Sequence, residues 1–177
     1  LFTQWGAKHT PKIIVNGEKK FGWHTDAQDN EYLTFLDAFL PELKKVLEAC
    51  GVYENAFFHI SDEPNFERDF EQYKKCYDYV TKYIPAEKIT DAMSEKEFIE
   101  KGYAKKPIVV THRAEEVMDS GVENLWFYYC CLPPGGFFSN KFIAMPLSRT
   151  RIMGTQLYKY DVRGFLRWGY NFYYTAG

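Results

Sequence analysis

No apolar stretch in this chain approaches the roughly 20 residues that a membrane-spanning helix requires, so no helical span is expected. Charge of one sign is equally scarce. The 22 Lys and Arg against 24 Asp and Glu leave a formal net charge of −2 and no long basic run, which argues against a nucleic-acid partner. Cysteine is sparse and poorly placed for chemistry. Cys50, Cys76, Cys130 and Cys131 include no C-x-x-C pair, and adjacent Cys130 and Cys131 suit neither a disulfide nor a zinc site. All four are expected to be small buried residues, and they leave the compartment unread. No His/Asp/Glu cluster has metal-ligand spacing and no glycine-rich phosphate loop is present, so no metal and no cofactor is implied.

What the chain has is aromatic mass: 15 Phe, 14 Tyr and 4 Trp make up 19% of it. Much of that must form core, because each ring buries a large area. Flat aromatic faces also match the C–H faces of pyranose rings, so some can serve as sugar platforms. At 177 residues the sequence suffices for one domain, spanning 1–177, with a real core.

The sharpest local signal is His59-Ile60-Ser61-Asp62-Glu63-Pro64, which follows the apolar run Ala56-Phe57-Phe58. Neighbouring side chains on a strand point to opposite faces, so Asp62 and Glu63 can share a pocket only if the strand stops there. Pro64 enforces the stop, since it has no N–H to give a ladder. Two carboxylates at a strand tip suit acid/base work on a glycosidic bond. The competing reading is that Asp-Glu-Pro opens a helix, with acidic residues near its positive end.

Elsewhere the periodicity predicts strand–helix alternation. Leucines 33, 36, 40, 43 and 47 mark a helix over 31–50 stopped by Gly51, and an aromatic stripe from Phe66 to Ile84 marks a second. Helical turns are expected over 95–100 and 114–118, and a longer helix over 146–160. Strands are expected near 56–61, 88–92, 107–111, 125–130 and 164–169, the fourth with no polar face, as when both faces are covered. Residues 1–30 look irregular, with Thr10-Pro11, Asn16-Gly17 and Gly22 as turn signals, and are expected to form a long loop with a small hairpin. Alternation without hairpins in the body means an α/β fold of parallel strands with outer helices.

HISDEP at 59–64, NLWFYYCC at 124–131, SRTR at 148–151 and GFLRWGYNFY at 164–173 together resemble glycoside hydrolase family 123. Residues 3–7 (TQWGA) and 88–91 (KITD) fit the same pattern. The resemblance implies a TIM (β/α)8 barrel that removes terminal β-linked N-acetylhexosamine, N-acetylgalactosamine above all, from a glycan or glycolipid. It also implies a retaining reaction in which the substrate's acetamido group is the nucleophile. On that alignment the chain is a partial barrel, about strands four to eight, with the N-terminal part missing. A full barrel takes about 250 residues. Five strands would leave two exposed sheet edges through which copies could associate. An extracellular or periplasmic setting is the expectation for the parent protein.

The resemblance also implies roles. Glu63 is the general acid/base, and Asp62 orients the acetamido group and stabilises the oxazolinium. Ordinary retaining enzymes differ, with two carboxylates about 5–5.5 Å apart across the bond. Barrel sites lie at the C-terminal strand ends, which nominates further substrate-binding groups: Tyr128 or Tyr129, with Tyr129 favoured as nearer the tip, then Trp168 and Asn171, and Trp5 and His9. Trp126 is expected in the core, His59 as a buried hydrogen-bonded histidine, and Arg149 and Arg151 as a structural pair. Two other readings stand beside this one: a glycosidase of different sugar specificity, and a non-catalytic carbohydrate-binding or scaffold fragment.

Overall fold

Asn16 and Gly17 take the two positive-φ positions of a tight hairpin, at 51° and 83°. The flanking β1 (Lys12–Val15) and β2 (Glu18–Phe21) pair antiparallel, from Lys12 opposite Phe21 to Val15 opposite Glu18. The computed structural model describes residues 2–133 and 138–167. Helix α1 (Asn30–Ala49) starts at Asp29, whose carboxylate accepts the N–H groups of Glu31 (2.9 Å) and Tyr32 (3.2 Å). It buries Tyr32, Leu36 and Leu40, and Gly51 at φ 69° follows its end. Helix α2 (Glu67–Val80) buries Phe70, Tyr73, Cys76, Tyr77 and Val80 along one face. Because α2 begins at Glu67, Asp62-Glu63-Pro64 does not open a helix.

Three short strands form a parallel sheet: β3 (Ile108–Val110), β4 (Trp126–Tyr128) and β5 (Gly164–Leu166), adjacent in chain order. The register sets Val110 opposite Tyr128 and Tyr128 opposite Leu166. Helix α3 (Lys96–Glu100) precedes β3, α4 (Ala114–Met118) joins β3 to β4, and α5 (Leu147–Lys159) lies between β4 and β5. The fold is therefore mixed α/β around a parallel sheet.

The strands expected at 56–61 and 88–92 reduce to single parallel bridges, Phe58 with Ile89 and Ala92 with Ile108. Side chains take over where the ladder would continue. The Ile60 N–H donates to the Asp91 carboxylate (3.0 and 3.2 Å), and the Val110 N–H donates to Ser94 Oγ (3.1 Å). The strand predicted to reach 169 is described only to Leu166, its last residues lying outside the described set.

Period-two alternation splits the sheet's contacts. Ile108, Val110 and Tyr128 pack with Ala92, Trp126 and Leu166 on one side, whereas Val109, Phe127 and Phe165 join the larger core under the helices. Trp126 lies across Gly164. A Cβ there would stand 2.3 Å from the indole, so glycine is required for this approach. The cysteine expectation needs correcting: Cys76 is buried, but Cys50 and Cys131 are exposed and Cys130 is half-buried. Cys50 sits at the solvated end of α1, and the other two lie on the open loop after β4.

Candidate active site

The segment 59–63 is built by hydrogen bonds from two distant stretches. From the N-terminal side, Phe2 N–H donates to the His59 carbonyl (3.0 Å) and Thr3 N–H to that of Ile60 (2.7 Å). The Ala7 N–H donates to Ser61 Oγ (2.8 Å), which in turn donates to the Gln4 carbonyl (2.9 Å), and the Gly6 N–H reaches the Asp62 carbonyl (3.1 Å). From below, Asp91 anchors the segment. Its carboxylate is fully buried, accepts Ile60 N–H and the Tyr73 hydroxyl (2.7 Å), and lies 3.3 Å from His59 Nδ1. Burial, then the Asp91 charge, drive the Tyr73 phenol well above its ordinary pKa, so it stays a donor. His59, expected buried, is about one-third exposed.

The carboxylate pair leaves this cradle through an unusual backbone. Glu63 has φ 41°, in the left-handed region that side-chain-bearing residues seldom enter. The turn is closed by Asn65 N–H donating to the Glu63 carbonyl (2.8 Å), and Asn65 Oδ1 accepts the Ser94 N–H (2.9 Å). The Glu63 side chain is pinned too, because Tyr128 OH donates to its Oε1 at 2.7 Å. The Tyr128 phenol is raised above its ordinary value by burial and then by the Glu63 hydrogen bond and charge, against a smaller pull from Ser94 and Asn65. Asp62 is exposed, yet loss of water around its carboxyl raises its pKa. The charge of Glu63 adds to the rise, His59 opposes it, and Asp91 adds a little more.

Two adjoining cavities open on this pair. One of about 210 Å³ is lined by Asp62, Glu63, Ala92, Tyr128, Cys130 and Leu166. A larger one, about 350 Å³, shares Glu63, Tyr128 and Cys130 and extends over Trp5, Asn65, Phe66, Ser94, Glu95, His112 and Arg113. Arg113 faces Glu95 at 3.4 Å and holds Glu116 at 2.7 Å. Burial, then the neighbouring Arg113 charge, lower the His112 pKa, which favours the neutral imidazole. Asp62, Glu63, Asn65 and Phe66 follow the bridge at Phe58, Ser94 and Glu95 follow that at Ala92, His112 and Arg113 follow β3, and Cys130 follows β4, so these groups gather at the C-terminal ends of parallel segments, the end where α/β sheets bind ligands.

The structure brings Asp62, Glu63 and Trp5 to these cavities. His9 lines a neighbouring groove. Tyr128, not the favoured Tyr129, faces the carboxylates. Tyr129 is 1% exposed and packs on Phe165 at 4.9 Å between ring centres. Trp168 and Asn171 lie outside the described residues. Sequence reasoning passed over Asp91, Asn65, Ser94, His112 and Arg113. For His112 and Arg113 a signal existed, since they directly follow the strand expected over 107–111. Among the described residues, no three His, Cys, Asp or Glu side chains stand together as a metal would need, and no helix is long and apolar enough to cross a membrane.

No curated protein sequence matches this chain. The family model described as glycoside hydrolase 123, catalytic domain, matches residues 1–176. A parallel sheet whose tips gather two adjacent carboxylates in one cavity now stands beside a match over nearly the whole length, and the chain belongs to the glycoside hydrolase 123 catalytic-domain family.

Proposed function

We propose that this glycoside hydrolase removes a terminal β-linked N-acetylhexosamine, N-acetylgalactosamine in preference, from a glycan or glycolipid, with retention and with the substrate's acetamido group as nucleophile. The observation that carries the reading is the shared cavity of Asp62 and Glu63, with Tyr128 fixing one oxygen of Glu63. Five parallel segments in chain order, at 58, 89–92, 108–110, 126–128 and 164–166, support assigning them to about strands four to eight of a (β/α)8 barrel.

In this mechanism Glu63 protonates the glycosidic oxygen as the acetamido oxygen attacks the anomeric carbon. The leaving group departs as an alcohol, and a cyclic oxazolinium remains. Asp62 accepts the acetamido N–H, turns the carbonyl oxygen toward carbon, and offsets the positive charge that develops. Glu63, now ionised, takes a proton from water as the water opens the ring, which restores the sugar hydroxyl and the acid. Tyr128 occupies Glu63 Oε1, which leaves the other oxygen for the leaving group. Trp5, at the cavity wall, offers a flat face to a sugar ring, and Trp168 and Asn171 are assigned to the same pocket on the family resemblance alone.

A thiazoline mimic of the cyclised intermediate tests the reading. It should inhibit competitively and bind far more tightly than substrate, as analogues of high-energy states do. A 2-fluoro sugar should leave no adduct. A glycosyl ester on Asp62 or Glu63, seen by mass spectrometry, would restore the two-carboxylate route and remove the acetamido mechanism.

A further inference from the structure

Beside the 350 Å³ cavity runs a groove of about 210 Å³, lined among others by Trp5, Lys8, His9, Trp23, Phe66 and Asp69. Trp5 and Phe66 also line the 350 Å³ cavity, so the two spaces adjoin across these rings. Three large aromatic side chains stand in the open here: Trp5 and Trp23 are each 55% exposed and Phe66 is 49% exposed. Leaving several such rings in water forgoes a large burial gain, and a cluster of this kind marks a binding surface.

The platform is set before any ligand arrives. The Trp23 ring lies 5.8 Å from that of His9, and His9 is fixed by a backbone bridge to Asp26. Trp23 itself sits in a turn closed by the Thr25 N–H on the Gly22 carbonyl (3.0 Å). Polar groups are interleaved with the rings. His9 Nδ1 is buried and has no hydrogen-bond partner among the described residues. The buried Asp69 carboxylate lies 3.7 Å from Lys8 and 3.8 Å from Arg68, so the cations beside the groove are drawn to a charge of the chain's own. Flat aromatic faces beside single polar atoms match a pyranose, whose C–H face stacks on a ring while its hydroxyls meet the polar atoms.

We propose that this groove is a second sugar subsite, which holds the residue on the leaving-group side of the scissile bond, with Trp23 as its platform and His9 as a hydroxyl partner. The proposal rests on the glycosidase reading above, because an exo-acting enzyme keeps one sugar before the bond and everything further belongs to the leaving group. It adds an expected preference for oligosaccharides over simple glycosides.

The test compares Trp23→Ala, Trp23→Phe and wild type on an aryl β-N-acetylgalactosaminide and on a trisaccharide ending in β-linked N-acetylgalactosamine. Trp23→Ala should lower kcat/KM on the trisaccharide about tenfold and on the aryl glycoside less than about twofold, and Trp23→Phe should recover most of the loss. Equal losses on both substrates, or no loss on either, would overturn the subsite. If wild type cleaves neither substrate, the glycosidase reading fails separately, and calorimetric titration with the trisaccharide decides the groove. Weaker binding by Trp23→Ala than by wild type would still support it; equal or absent binding would end it.

Discussion

Asp91→Asn is the perturbation that most directly probes how the site is held. The Asp91 carboxylate is fully buried and takes the Ile60 N–H, the Tyr73 hydroxyl and the approach of His59. The amide keeps the shape but swaps one acceptor oxygen for a donor NH2, which then faces a donor. Hydrogen bonds to a charged group are each worth about 1.5–3 kcal/mol, so losing one and weakening the other should cost about 2–4 kcal/mol. In a chain of 177 residues each kcal/mol moves Tm by about 2–4 °C, and the fall should be about 4–16 °C. Thermal unfolding followed by circular dichroism reads this directly, with exposed Glu123→Gln as control. A shift under about 2 °C, no larger than a neutral surface change gives, would refute the view that Asp91 replaces a ladder bond under segment 59–63.

Two further outcomes concern the carboxylate pair. Glu63→Gln should slow turnover most on substrates with poor leaving groups, which need protonation, and Asp62→Asn should slow poor and activated substrates alike; steady-state rates on a leaving-group series check both, and a uniform loss for Glu63→Gln would remove the acid assignment. Asp62 has a pKa above its ordinary 3.8 in the folded protein, so the native state binds more protons than the unfolded chain between that value and the raised one. The stabilising contribution is full below 3.8 and is lost as pH rises through the raised value; the stability of wild type relative to Asp62→Asn, read by urea unfolding, should fall as pH rises across this window.

The helices were legible because their signals are local: the leucine spacing and Gly51 for α1, the aromatic stripe for α2. The carboxylate pair was legible because Pro64 punctuates it. Strand extents were not, since Asp91 and Ser94 end the ladder with side-chain oxygens, and no spacing links Asp91 to Ile60 before the chain folds. The choice between Tyr128 and Tyr129 was hidden for a different reason. A strand apolar on both faces carries no phase. The phase comes from the neighbours, with Val110 and Leu166 opposite Tyr128 and Phe165 against Tyr129. Trp23 escaped notice because it lies in an aperiodic segment, where only three-dimensional placement gives it meaning.

Glu63 shows where the local rule and the global structure part. A left-handed φ at a glutamate costs of order 1–3 kcal/mol, and such a residue persists only where its surroundings over-determine it. Here they do. The loop is tied before Glu63 by Gly6 N–H on the Asp62 carbonyl, after it by Asn65 to Ser94, and at its side chain by Tyr128. Those three ties come from the N-terminal segment, the residues after Ala92 and the end of β4, which are far apart in sequence. Together they hold one carboxyl group in a fixed place at the junction of two cavities. Glycine at position 63 would relieve the backbone and lose that group, so the strain is the cost of putting an acid where the turn prefers no side chain.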